Sequence, residues 1–470
     1  MSIAFRLRSQ PRPAPNRGRL RWYGPGLLWM VSSVGSGSVL FTPRIGARYG
    51  YELLWLALIV TVLMWIMIRE AGRFSVATGR TLLDGFRAVP GPSGWAIWVI
   101  FIPQLVAGVV TIAGIAALVG SALMVGLPGD QAMYASVVIL GSGALVLAGR
   151  YQGVERITSV LALVLVGAAI TAAASTVSGD IMTGLVPGVP DDVDLYFVLP
   201  WVGFILAGAV GVMWFSYWVA ARGFGGAVDQ PSSASDEAGG EKGADREEQL
   251  GRVRGWTRMM SRTAAVGVIG GGLVIVSFLV LGAELLAPQG RIPNGVDVAR
   301  DLTALLSELW GTFGEVLLLT CVVVALWGTI FANQDGWART YADATRLIIG
   351  RRPDDQPGRS AQPVAGDWAD RLHRHPRRVY RTYVAVSMTL APLVLFLLVR
   401  DPVQILSVGG IIAAAHTPVV VGLTLYVNRR LPAQVRPSLA SQAALGGAGL
   451  FFGAFAVVYL LSLFGLRIGQ

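Results

Sequence analysis

The sequence predicts an all-α integral membrane protein with eleven transmembrane helices, ten of them forming a five-plus-five inverted repeat. Three observations support this prediction. Apolar residues make up 54% of the 470-residue chain and charged residues only 14%, whereas a soluble domain carries about a quarter charged residues. Apolar runs long enough to cross about 30 Å of hydrocarbon as helices recur along the whole chain. The first and sixth runs, five spans apart, are both interrupted by glycines.

The apolar runs do not alternate apolar and polar residues as the strands of a transmembrane barrel do, so we expect helices. Of these helices, we expect the first and the sixth to be discontinuous. The predicted spans are 22–45, 51–69, 95–126, 131–149, 156–176, 197–221, 263–286, 312–334, 379–399, 403–427 and 445–466. Spans one to five form the first repeat, 22–176, and spans six to ten form the second, 197–427. The eleventh helix, 445–466, follows the second repeat.

The formal net charge of +10 predicts an orientation in the bilayer and not a nucleic-acid partner. If the tail 1–21 is cytoplasmic, all the basic clusters between spans fall on the same side, while the acidic loop 180–194 faces the other side. Cytoplasmic loops carry an excess of Lys and Arg. We therefore expect a multi-pass protein of the plasma (inner) membrane with its C-terminus outside. The expected partners are the lipid bilayer and a transported solute or metal ion, and the oligomeric state stays open.

Two segments between spans are too polar to bury much apolar surface. Residues 223–262 begin with a stretch rich in Gly, Ser, Asp and Glu, and residues 347–378 are rich in Arg and Pro. Because chains of this composition stay unfolded, we expect flexible cytoplasmic loops. Cys321 is the only cysteine, and we expect a packed core thiol. No cleavable signal peptide is expected, since the basic tail leads into a full-length span, and no cofactor is indicated.

The interrupted spans predict the substrate site. Span one breaks at Gly35-Ser36-Gly37-Ser38, and span six carries Gly208 and Gly211 within the stretch 207–213. A broken helix frees backbone polar groups, which a membrane protein tolerates only where they line a cavity. Matching interrupted helices in two halves indicate the binding site of a transporter. We expect the two breaks to meet near the bilayer midplane. The alternative is that these glycines only permit close helix packing.

The frame around the first break resembles the first helix of the Nramp family of proton-coupled divalent-metal transporters. Residues 24–28 open this frame and residues 45–51 close it, and residues 71–80 resemble the family's segment after its second helix. The resemblance implies a LeuT-like fold, secondary transport and a metal-ion substrate. In the family the break reads Asp-Pro-Gly-Asn, and the Asp and Asn hold the metal. Here Gly35 and Ser38 stand at those two positions.

Other family positions differ as well. Where the family has Met-Pro-His in span six, this chain has Met213-Trp214-Phe215, and the stretch 106–111 of span three lacks the family's acidic residues. In span ten the family places a Gln two residues before a Pro, and His416 stands two residues before Pro418. By the resemblance, the remaining candidate metal ligands are Met213, His416 and Ser38. A histidine hydrogen-bonded in the core is the alternative for His416.

A divalent cation leaving water needs replacement ligands and a neutralising charge. No acidic residue lies in the middle of spans one, three, six or ten, so the sequence disfavours proton-coupled Mn²⁺ or Fe²⁺ uptake of the usual Nramp kind. The alternative substrate is a small organic or weakly charged solute, because aromatic residues follow the second break, although such residues also serve simply as packing. The candidate substrate-binding residues are Gly35, Ser36, Gly37, Ser38, Val210, Met213, Trp214, Phe215 and His416.

A second polar group marks the predicted end of span eight. Asn333 and Gln334 are followed by Asp335 and, four residues later, by Arg339. Asn333, Gln334 and Asp335 are candidates for coupling or gating, or else the charges of Asp335 and Arg339 stabilise a helix end. A non-transporting membrane sensor stays open as another class of function. An enzyme is disfavoured, because no nucleophile–base pair or metal-ligand cluster is apparent in the spans.

Overall fold

The structure is a computed structural model, and it describes residues 20–23, 26, 30, 35–92, 94–149, 152–225, 243–349 and 375–463. Within these ranges the chain is helical and contains no strand. Ten helices among the described residues are long and apolar enough to cross a membrane. They correspond to predicted spans two to eleven. Part of predicted span one lies outside the described residues. The tail 1–19 and the segments 226–242 and 350–374 lie wholly outside them.

The helices follow the predicted order of spans. In chain order they are α1 Thr42–Tyr49, α2 Leu54–Thr78, α3 Leu82–Arg87, α4 Trp95–Gly126, α5 Gln131–Ala148, α6 Gln152–Thr176, α7 Leu195–Phe204, α8 Gly208–Ala221, α9 Gly243–Leu281, α10 Val298–Ile349, α11 Pro376–Thr382, α12 Ala391–Val399, α13 Pro402–Arg429 and α14 Leu439–Leu463. A π-helical turn, Gly37–Phe41, leads into α1, and another, Tyr383–Leu390, joins α11 to α12. Helix α10 bends at Gly311, whose φ is 57°, directly before the predicted start of span eight.

Span six is discontinuous, as predicted, but its break lies earlier than the sequence indicates. Leu206, Ala207 and Gly208 have φ angles of 52°, 64° and 52°, and they separate α7 from α8. Val210 lies in the first turn of α8, where the backbone amides have no partner within the helix. A residue with a side chain in the left-handed region costs about 1–2 kcal/mol. Sequence propensity alone would therefore not place the break at Leu206 and Ala207.

The predicted break in span one, Gly35-Ser36-Gly37-Ser38, lies within the described residues. Gly35 lies in a turn, and Ser36 already has helical angles, with φ −56° and ψ −31°. The prediction that residues 36–38 are non-helical is therefore wrong. The turn Gly37–Phe41 is instead π-helical, and Thr42 donates from its hydroxyl to the carbonyl of Gly37 at 2.8 Å. Single π-helical turns occur frequently at functional sites.

The predicted flexible loop 223–262 is wrong for residues 243–262, which form the first part of α9. The reason is an apolar stripe that recurs at helical spacing among the charged residues. Leu250, Val253, Trp256 and Met260 are all buried, so this part of α9 gains the tertiary packing that stabilises most helices in proteins. Average composition conceals such a stripe.

Glycines bring the two interrupted spans against their neighbours. A Cβ added to Gly203 of α7 would lie 1.9 Å from the carbonyl oxygen of Gly410 in α13. A Cβ added to Gly46 of α1 would lie 2.3 Å from the carbonyl oxygen of Leu279 in α9. Small residues let membrane helices approach closely. Spans one and six are thus held directly against spans seven and ten.

Two ends of the molecule are distinguished by their charge. At the acidic end, defined by the loop 177–194, Glu284 accepts hydrogen bonds from the Tyr51 hydroxyl at 2.6 Å and the Ser178 amide at 3.0 Å. At the basic end, defined by the loop 430–438, Arg254 donates to the carbonyl of Gln434 at 3.3 Å. These contacts fix which loops lie together on each side of the bundle.

Candidate functional site

Spans one and six meet where the sequence predicts a junction of the two interrupted helices. A Cβ added to Gly37 would lie 2.6 Å from the carbonyl oxygen of Phe204, the last residue of α7. One helical turn further along span one, Thr42 accepts a hydrogen bond from the indole of Trp201 at 3.0 Å. Both residues are fully buried. The π-helical turn of span one therefore lies directly against the break of span six.

A pair of phenylalanines occupies this junction. Phe41 and Phe204, here called the central phenyl pair, stack with their ring centroids 5.8 Å apart and their planes at 23°. A Cβ added to Gly409 in α13 would lie 3.2 Å from the Phe204 ring and 3.4 Å from the Thr111 hydroxyl of α4. The Phe204 ring thus lies between spans one, three and ten.

The residues at the family's metal-binding positions interact with each other. The Ser38 hydroxyl accepts a hydrogen bond from the Gly35 amide and donates one to the Gly35 carbonyl, each at 3.3 Å. Ser36 and Ser38 are 4% and 2% exposed. The Ser38 hydroxyl is consequently engaged with local backbone, and Gly35 contributes no side chain.

The predicted residues of span six face different neighbours. Met213 is fully buried and Val210 is half-buried. Trp214 packs edge-on against Trp337 of α10, with ring centroids 5.4 Å apart. Phe215 lies on another side of α8, where its ring would be 3.0 Å from a Cβ added to Gly72 of α2. Trp214 and Phe215 therefore do not form one aromatic surface.

His416 is buried in α13, and its imidazole lies against the backbone of Val99 in α4. Its Nε2 has no hydrogen-bond partner among the described residues. Nearby on α4, the Gln104 carbonyl accepts a hydrogen bond from Tyr341 at 2.5 Å, and Trp337 stacks on Tyr341 at 5.4 Å. This aromatic group lies between spans three, six and eight, separate from the central phenyl pair.

Asn333 and Gln334 do not lie at a helix end, because α10 continues to Ile349, so the interpretation of Asp335 and Arg339 as a helix-end charge pair is wrong. Gln334 is fully buried. Its Nε2 donates to the carbonyls of Ile139 at 3.2 Å and Met388 at 3.0 Å. This side chain thus bridges spans four, eight and nine.

Asp335 forms the expected ion pair with Arg339, at 2.8 Å. It also accepts a hydrogen bond from the Tyr380 hydroxyl. Asp335 thereby joins span eight to the start of span nine. A role of Asn333, Gln334 or Asp335 in coupling or gating stays a prediction.

Sequence reasoning missed a buried cation beside the junction. Arg44 of α1 is 7% exposed, and its guanidinium carbon lies 4.6 Å from the ring centroid of Phe197. The signal was present in the sequence, because Arg44 falls inside predicted span 22–45. An ionisable residue within a membrane span is costly and usually functional.

Comparison with known proteins identifies the family. The family described as "Natural resistance-associated macrophage protein-like", Nramp, matches residues 26–462. The chain belongs to the Nramp family. This is a family of membrane transporters, so the sequence resemblance drawn from the first span is confirmed over nearly the whole chain.

Solved structures confirm the fold. A crystal structure of a mutant manganese transporter from Eremococcus coleocola superposes with a TM-score of 0.66 at 13% identity, covering 99% of this chain and 93% of that one. A structure of Mhp1, a nucleobase-cation-symport-1 family transporter, gives a TM-score of 0.54 at 15% identity, covering 99% and 97% of the two chains. The LeuT-like inverted repeat predicted from the sequence is therefore the observed fold.

An uncharacterized protein of Pasteurella multocida is 22% identical to this chain over 340 residues. The match covers 70% of this chain and 71% of that protein.

Proposed function

We propose that this Nramp-family chain is a secondary carrier of a small organic solute, and that it does not take up bare Mn²⁺ or Fe²⁺ in the usual manner of the family. The central phenyl pair carries this proposal. Phe41 and Phe204 occupy the junction of spans one and six. Two stacked apolar rings provide contact area for a flat solute and provide no ligand for a stripped cation.

The charges near the junction also oppose a dication. Gly35 and Ser38 stand where the resemblance places the anionic and amide ligands, and Arg44 is buried near Phe41 at 5.8 Å. At a separation of about 10 Å and an effective dielectric constant of about 20, one positive charge raises the energy of a dication by about 3 kcal/mol. Transfer of the ion out of water adds to this unfavourable energy.

The fold itself is compatible with an organic cargo. Mhp1, which has the same fold, is described with bromovinylhydantoin bound. In our proposal one bundle of helices rocks against another around the junction of the two repeats, 22–176 and 197–427, and helix 445–466 does not take part in the site. Alternating access of this kind exposes one fixed site to each side in turn. No enzymatic step is part of the proposed function.

We also propose that the basic end is cytoplasmic in a plasma (inner) membrane, with the N-terminus inside and the C-terminus outside. The support is the asymmetry of charge. Arg69, Arg73, Arg254, Arg429 and Arg436 lie at the basic end, whereas the loop 180–194 contains no basic residue. This distribution follows the excess of Lys and Arg in cytoplasmic loops.

A transition-metal substrate is the second candidate, favoured by family membership and by Met213. This thioether is fully buried five residues after Gly208, the last residue of the break. Thioether sulfur is a soft ligand that suits transition metals better than magnesium. His416, with an unpartnered Nε2, would be a further ligand.

Calorimetric titration of the purified protein with Mn²⁺, Cd²⁺ and Mg²⁺ separates the two candidates. We expect no measurable binding by the natural protein and a gain of Mn²⁺ binding in Gly35→Asp, because that substitution restores the carboxylate. Binding of Mn²⁺ or Cd²⁺ by the natural protein that Met213→Ala abolishes would overturn the proposal in favour of the metal. Proteoliposomes loaded with Mn²⁺-sensitive dye provide the transport control, and we expect no signal.

A further inference from the structure

Arg44 is a buried cation whose hydrogen-bonding capacity is incompletely used. Its side chain lies between two aromatic rings, with the guanidinium carbon 4.6 Å from the Phe197 centroid and 5.8 Å from the Phe41 centroid. Its Nε has no hydrogen-bond partner, and no ion pair of Arg44 occurs among the described residues. A buried charge is costly unless it is paired and hydrogen-bonded.

The charged neighbours of Arg44 also have other partners. Asp401 interacts electrostatically with Arg44, but its carboxylate caps α13 by accepting from the amides of Val403 at 2.9 Å and Gln404 at 3.1 Å. Arg48, one turn along α1, forms an ion pair with Asp194 at 3.3 Å. Each carboxylate near Arg44 thus has another partner within hydrogen-bond distance.

Arg44 lies one ring away from the junction of spans one and six. Phe41 separates the guanidinium from Phe204, at 5.8 Å from each of them. An anion held by Arg44 would therefore place any attached flat group beside the central phenyl pair. The guanidinium presents a planar set of donors that matches a carboxylate with two parallel hydrogen bonds.

We infer that the carried solute is a small organic anion, whose carboxylate is bound by Arg44 and whose flat apolar body contacts Phe41 and Phe204. This inference rests on the proposed function and specifies its substrate class. The carboxylate supplies the acceptor that Nε lacks, and it neutralises a charge that the surrounding rings stabilise only in part. The same guanidinium disfavours cationic solutes.

The test compares benzoate with benzamide, which share a ring and differ in charge. Binding of each probe to the purified protein is measured by calorimetry, with Arg44→Gln as the variant and Arg48→Gln as the matched control. Arg48 is on the same helix and also lies over Phe197, at 4.8 Å. We expect the natural protein and Arg48→Gln to bind benzoate at least tenfold more tightly than benzamide. Arg44→Gln should reduce this preference to twofold or less.

Equal binding of the two probes by the natural protein would overturn the inference while leaving the organic-solute proposal intact. An unchanged benzoate preference in Arg44→Gln would also overturn it. Absence of binding by both probes, together with Mn²⁺ binding, would reject the proposed function itself. If Arg44→Gln does not fold, Arg44→Lys replaces it, with an expected threefold or greater loss of benzoate affinity, because lysine keeps the charge but not the planar pair of donors.

Discussion

Glu70 of α2 is a buried residue whose contacts connect α2 to α13 and α14. The sequence places it just after predicted span two, but α2 continues to Thr78 and Glu70 is fully buried. Its carboxylate pairs with Arg69 at 3.0 Å and Arg73 at 2.8 Å, and it accepts a hydrogen bond from Ser441 of α14 at 2.8 Å. The carbonyl of Glu70 accepts from Asn428 of α13 at 3.0 Å. Glu70 thus attaches the last helix to the bundle.

We predict that Glu70→Gln lowers the free energy of unfolding by about 3 kcal/mol, because removal of one member of a buried ion pair leaves the other charges uncompensated. Thermal unfolding in detergent measures the effect, and Glu52→Gln is the control at an exposed position. A melting temperature of Glu70→Gln equal to that of Glu52→Gln would show that the carboxylate does not stabilise the fold.

The break of span six is the feature that matters most at the scale of elements. Its position follows from close packing, since Gly203 contacts the backbone of Gly410 and a Cβ added to Gly208 would lie 2.2 Å from the carbonyl oxygen of Gly203. The chain cannot continue as a helix through Leu206 and Ala207, whose φ angles are positive. This strain is retained at the junction where the proposed substrate binds, as is common at functional sites.

The two alanines beside this break should respond in opposite ways to glycine. Ala207 has left-handed angles, φ 64° and ψ 11°, whereas Ala209 lies inside α8. We expect Ala207→Gly to be neutral or stabilising by up to about 1 kcal/mol, because glycine adopts these angles without strain. Ala209→Gly should destabilise by about 1 kcal/mol. Melting temperatures in detergent check this prediction, and we expect Ala207→Gly to melt at a higher temperature than Ala209→Gly. A lower melting temperature for Ala207→Gly than for Ala209→Gly would contradict the strained geometry.

At the scale of the whole molecule, charge at the two ends decides how the bundle sits in the bilayer. The acidic end includes exposed Met182 in the loop 177–194, and the basic end includes exposed Ala433 in the loop 430–438. Cys321 is 1% exposed and is the chain's only cysteine. The natural protein therefore provides a low-background host for cysteine labelling.

We expect a membrane-impermeant maleimide to label Met182→Cys in intact cells and to label Ala433→Cys only after the membrane is opened, because the basic end should be cytoplasmic. The natural protein, with Cys321 alone, is the background control. The reverse pattern of labelling would invert the proposed orientation.

The sequence by itself determined the spans, the family and the presence of a break in span six. These properties depend on local composition, since a run of about 20 apolar residues is long enough to cross the bilayer whatever surrounds it. The sequence alone also shows that Arg44 lies within predicted span one, and that Gly35 stands where the family has a carboxylate.

Only the tertiary structure decided which side chains meet at the junction. Phe41 and Phe204 are 163 positions apart in the chain, and their stacking depends on the rotation and depth of two helices fixed by glycine contacts with α9 and α13. The burial of Glu70 and Arg44 and the bridging by Gln334 depend on the same packing. Such contacts arise between spans and leave no periodic signal within one span, because helical periodicity records only which face is apolar.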